Sequence, residues 1–205
     1  MLLAQLCASL ILVLQIGIGV TDSARCESAR AVACKLAAHS HVAFLNYQPS
    51  GVRDNADARK NIDAACQGLP AFRSEYGNGP GGSTCFGVDL LSALLDIADY
   101  HKQENLARVQ VNCLAGGNHA KKSNHYRGFG FDLQNFHTCP RNTWEAPGRC
   151  GVVLRRWSEL CVKHGGRYYN RLNRTPGHQN HNHCTILPPH ERHASAGADT
   201  PDDNA

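Results

Sequence analysis

Several absences narrow what this 205-residue chain can be. Its 10 cysteines include no CxxC pair, which argues against a structural zinc site built on paired cysteines. No basic run is interleaved with aromatics, and the formal charge is only +4 beside 12 histidines, so nucleic acid is not an expected partner. Beyond the first 20 residues no apolar run approaches membrane-spanning length. No internal repeat is found. The glycine-rich stretch from Tyr76 to Gly82 lacks the lysine and spacing of a phosphate-binding P-loop and reads as a surface or substrate-side loop.

What is present suits an exported globular protein. Hydrophobic residues make up 42% of the chain, enough for an ordinary core. Length suggests one domain plus appendages. Residues 1–24 read as a signal peptide: the first 20 carry no charged side chain, and cleavage after Gly19 or after Ala24 would suit the small and polar residues there. A retained membrane anchor is the alternative. Removal of the leader takes Cys7 with it and leaves nine cysteines, hence up to four disulfides and one thiol. Cys139 and Cys150 flank a loop and are the expected local pair. Cys184 is the expected unpaired cysteine, because it lies inside a histidine motif. The mild positive charge suits an anionic surface such as a bacterial wall, although solubility alone would account for it.

Periodicity places the elements. Residues 26–46 read as a helix, Asp54 or Asn55 to Ala65 as a second, and Val88–His101 as the strongest helix, with Ser83 as a candidate N-cap ahead of it. Arg108–Cys113 alternates with period two and reads as a strand. In Gly128–Leu133, Gly130 and Asp132 should share one face while Phe129, Phe131 and Leu133 share the other. A further helix runs from Gly151 to about His164, with short strands at Arg167–Tyr169 and His181–Leu187. The polar tail, 188–205, is expected to be disordered.

Two stretches carry chemistry. The first, His119–Asp132, offers His125 and Asp132. The second, His178–Cys184, offers His178, His181 and His183. A catalytic zinc needs three His, Asp or Glu ligands and one open position. Residues two apart on a strand face the same way, so His183 can bind metal while His181 handles a proton nearby. His125, Asp132 and His183 are therefore the expected zinc ligands. Bound water would ionise with a pKa near ~7. His181, or His178, would be the general base, and His119 would help stabilise the oxyanion. Taken singly, each of these histidines could be an ordinary surface residue; their ordered combination carries the weight.

That combination also carries a resemblance. Ser123-Asn-His125-Tyr-Arg-Gly128-Phe-Gly130-Phe-Asp132 resembles the SxHxxGxxxD signature of the zinc D-Ala-D-Ala carboxypeptidases, whose fold the hedgehog signalling domain shares. His181-Asn-His183-Cys184 looks like the last metal strand of hedgehog. The spacing of His178, His181 and His183 is similar to that of the penicillin-insensitive murein endopeptidases. The resemblance covers residues 108–187 and implies zinc on His125, Asp132 and His183. It also implies an α+β fold, with a small antiparallel sheet flanked by helices. The carboxypeptidases carry a glutamate just before the last ligand. Here no acidic residue lies between Glu159 and His183, so the base must be histidine. Gly130 replaces a usual alanine, and Arg127 and Lys122 are the candidates for holding a substrate carboxylate.

The expectation is a secreted, extracellular, disulfide-stabilised zinc metallopeptidase of residues 25–187, with a helical part at 26–106 and a metal-site core at 107–187. It would act as a monomer on amide bonds of peptidoglycan peptides, in cell-wall degradation or antibacterial defence, with no nucleic acid or membrane partner after leader removal. The alternative is a hedgehog-like binding module that keeps zinc for stability.

Overall fold

The apolar stripe Leu90, Leu91, Leu94, Ile97 and Ala98 is wholly buried and makes one helix the centre of the core. The structure, a computed structural model, describes residues 22–134, 148–170, 178 and 181–192. In chain order these form α1 (Asp22–Ala37), β1 (Val42–Phe44), α2 (Ala58–Cys66), β2 (Ala71–Phe72), β3 (Ser83–Thr84), α3 (Val88–Gln103), β4 (Val109–Cys113), β5 (Gly130–Gln134), α4 (Arg149–Lys163), β6 (Arg167–Tyr169), β7 (Asn182–Thr185) and α5 (Pro189–Arg192). The central helix is α3.

The main sheet runs β1-β4-β5-β7-β6, and β2 pairs with β3 in a separate ribbon. The fold is thus α+β, as expected, but the sheet is not antiparallel throughout: β1 lies parallel to β4. Neither β1 nor its pairing is foreshadowed locally, since its partner is distant in the chain and its residues fall within the span read as helix 26–46. Ser83 is not the N-cap of α3 either. It pairs with Phe72 in the ribbon, and Gly87 occupies the cap.

Alternation along β5 sorts its side chains. Phe131 and Leu133 are fully buried in the core, beside Cys184 of β7 and Trp157 of α4. Asp132 points to the opposite face, and His183 is its direct cross-strand partner. Helix α2 starts at Asp57, whose carboxylate accepts from the Lys60 backbone N–H. Trp157 Nε1–H donates to His101 Nε2 at 3.0 Å and so joins α3 to α4 through the core.

Disulfides link Cys26–Cys85, Cys34–Cys66 and Cys161–Cys184. The last of these corrects the expectation that Cys184 is unpaired: the pleat that turns His183 toward the site turns Cys184 toward α4. Among the described residues the thiol is instead Cys113. Cys150 is disulfide-bonded, but Cys139, its expected partner, lies outside the described residues. The proposed leader lies mostly outside them too, and Ala24 falls within α1. Where a disordered tail is expected, Pro189–Arg192 form a helical turn held by Arg192 on Asp89 at 2.5 Å and by Glu191 on Arg127. Residues 193–205 lie outside the described set. Among the described residues no helix is long and apolar enough to cross a membrane.

Candidate metal centre

The centre is built on a row across the sheet. Register aligns Cys113 of β4 with Asp132 of β5, Asp132 with His183 of β7, and His183 with Tyr169 of β6. Val111 pairs with Leu133, yet Cys113 rather than Asn112 pairs with Asp132, so one extra residue sits in β4. This β-bulge turns Cys113 out of the core face, where plain alternation with Val109 and Val111 would put it.

His125 reaches the row from the loop between β4 and β5. Its backbone N–H donates to Ser123 Oγ, and Gly128 N–H closes a turn back to its carbonyl. The ring is fully buried and donates Nδ1–H to the Leu114 carbonyl at 2.7 Å. That bond fixes the tautomer and leaves Nε2 as the ligand atom, the usual arrangement of a metal-binding histidine. Nε2 lies 3.1 Å from His183 Nδ1 and 3.2 Å from Asp132 Oδ1, and these last two are 2.9 Å apart. Ligand atoms bound tetrahedrally to zinc at about 2.0–2.1 Å stand about 3.3 Å from one another. The triangle therefore needs only slight expansion to receive an ion. Gly130 makes the space, since a Cβ there would lie 3.1 Å from His183 Cε1.

Charge agrees with geometry. Burial alone would raise the Asp132 carboxyl. The neighbouring charges of His125 and His181, with hydrogen bonds from His125 and His183, outweigh it and hold the group well below the usual carboxylate range. With Nδ1–H committed to Leu114, His125 can also donate to Asp132 only as an imidazolium. A metal ion would supply that positive charge in place of the proton.

The other expected residues gather around the triangle. His181 Nε2 stands 3.6 Å from Asp132 Oδ1, and the side chain is 20% exposed. It lines a cleft of about 250 Å³ together with Tyr76, Asn112, Asn118, His119 and Gln134. His178 is buried under Tyr169, with ring centres 5.4 Å apart, and its centre lies 5.0 Å from that of His181. His119 stacks flat on His125 at 3.9 Å and directs Nε2 toward Cys113. The ligand atoms of Cys113, His119, His125 and Asp132 lie within 4.8 Å of one another, so this group can hold a metal ion.

Two residues went unseen in the sequence. Cys113 was hidden by the bulge, and Tyr169, which walls His178 and His183, by the long-range pairing of β6 with β7. Arg127 is committed elsewhere. It pairs with Glu191 at 2.6 Å and lines a separate cavity of about 900 Å³ rather than the cleft beside His181. Lys122 is absent from the lining of the cleft. Comparison with protein-family models, with curated proteins and with solved structures finds no match to this chain.

Proposed function

We propose that the chain is a secreted zinc metallopeptidase that hydrolyses amide bonds in peptides of the peptidoglycan type, as part of wall digestion or antibacterial defence. The observation that carries the reading is the buried triangle of His125 Nε2, Asp132 Oδ1 and His183 Nδ1, with edges of 2.9–3.2 Å. Such convergence of lone pairs and charge away from water is costly unless a cation or proton occupies it. Two imidazoles and a carboxylate suit zinc. When bound, zinc supplies Lewis acidity and activation of water at neutral pH.

The chain's own groups do the rest. His181 is the partly exposed partner at the mouth of the cleft and takes the proton of the attacking water, then returns it to the leaving amine. His178 packs behind it and orients its ring; deep burial makes it the poorer base. Asn112, Asn118, Gln134 and Tyr76 give the cleft amide and hydroxyl groups that match a peptide backbone. An oxyanion role for His119 is set aside, because its Nε2 is directed at Cys113. The three disulfides joining described residues, with the further bridge at Cys150, are consistent with an oxidising, extracellular setting.

The test measures bound zinc and peptide release from purified peptidoglycan, with and without chelator. Wild type should hold zinc and lose turnover with chelator. His181→Ala should keep zinc and lose at least about 100-fold in rate, the usual scale of a general base. A chain without stoichiometric zinc would defeat the proposal. Near-complete burial of His125 and His183, at 0% and 1% exposure, favours a second reading, a zinc-stabilised binding module. Zinc without turnover on any wall type would select it.

A further inference from the structure

A second set of donors stands beside the triangle. The bulge in β4 puts Cys113 Sγ 3.3 Å from His119 Nε2 and next to Asp132. The loop is anchored to hold this pair: Tyr126 donates its hydroxyl to the Gly117 carbonyl and accepts from the His119 backbone N–H, both at 2.9 Å. Gly117 has φ +85°, and a Cβ there would stand 2.7 Å from His119 Nε2 and 3.3 Å from Cys113 Sγ. A bare residue therefore leaves room alongside the two donor atoms. His125 presents Nε2 to the triangle and commits its Nδ1 proton to Leu114, so it has no second lone pair to give. Cys113 Sγ, His119 Nε2 and a carboxylate oxygen of Asp132 remain, mutually within 4.8 Å.

We infer that Cys113 and His119, sharing Asp132 with the triangle, form a second divalent-metal position, so that the centre is dinuclear. The inference rests on the reading of His125, Asp132 and His183 as the first position. Thiolate and imidazole select a thiophilic ion, zinc or its spectroscopic substitute cobalt. A single carboxylate can bridge two ions, and two-metal hydrolytic sites space them by about 3.5–4 Å. Redox chemistry points the same way. Seven of the described cysteines are disulfide-bonded, while Cys113 keeps its thiol. Coordination would shield that sulfur from the oxidant that closed the others. Binding releases the thiol proton to solvent.

The experiment titrates demetallated, disulfide-intact protein with Co(II) and follows ligand-field and thiolate-to-cobalt charge-transfer absorption. Wild type, Cys113→Ser and His183→Ala are compared. The expected wild-type result is two cobalt ions per chain, one of them producing the thiolate band. Cys113→Ser should bind one ion without that band, and His183→Ala should keep the band. One ion in wild type with no thiolate band would overturn the second position and leave the first standing. One ion with the band, lost altogether in Cys113→Ser, would replace the dinuclear centre by a single cysteine-ligated one. No bound ion would overturn both readings. Should Cys113→Ser fail to fold, alkylation of wild-type Cys113, mapped by mass, decides. Its rate must drop sharply when the second equivalent binds, and an unchanged rate overturns the proposal.

Discussion

Asn in place of Asp132 would keep the side chain's shape and remove the charge that the surrounding imidazoles hold in place. Asp132→Asn should weaken zinc binding by more than the roughly 10–100-fold typical of an outer-shell change, measured by competition with a chromophoric chelator. Gly130→Ala is the milder test. Its Cβ would press on His183 Cε1 at 3.1 Å and on the His125 backbone N at 3.3 Å, so ring and loop must yield by a few tenths of an ångström. Zinc affinity should fall by no more than about tenfold, with far-ultraviolet circular dichroism unchanged. Asp132 and His183 could be placed on one face from the sequence because undisturbed strands keep strict period two, whereas His125 comes from a loop, where no periodicity fixes its direction. Cys113 was not, because the bulge breaks that period at the residue that matters.

Among the elements, β7 owes its position partly to the Cys161–Cys184 bridge onto α4. Replacing both cysteines by serine should cost about 3 kcal/mol for a loop of this length. It should also loosen His183, lowering zinc affinity by about tenfold; calorimetry with metal titration checks both. The α3–α4 contact makes a pH prediction. Burial pushes the His101 imidazole down, against the opposing effect of its bond to the Ala107 carbonyl, and Trp157 donates to its Nε2. The folded ring stays neutral where an unfolded histidine, at about 6.5, already takes a proton. Its contribution to stability is therefore complete above about pH 6.5 and is lost as pH falls from there through the depressed folded value. Urea unfolding of wild type between pH 7.5 and 5.5 should show a steeper loss than His101→Gln, by at most about 1.4 kcal/mol per pH unit. The long helices were legible from their apolar stripes. The three-residue strands β1 and β6 were less so, because partners far along the chain define them.

For the whole molecule, an ion that binds the folded chain alone adds to its stability. Zinc at about 100 times its dissociation constant contributes about 2.7 kcal/mol. In a domain of this size that raises the melting temperature by about 5–10 °C over the chelated protein. Differential scanning calorimetry with and without chelator reads it, and an unchanged midpoint would count against a buried metal centre. The fold class could be anticipated from alternating helical and strand patterns. The strand order could not, since β7, last in the chain among the described strands, sits between β5 and β6. During synthesis β5 therefore waits with one flank open while everything up to β6 is made, and the closing strand must slot inward rather than add at a margin. The same strand carries His183. A nascent chain that stops short of that residue lacks one corner of the triangle, so the candidate metal site cannot close until β7 has been made and inserted.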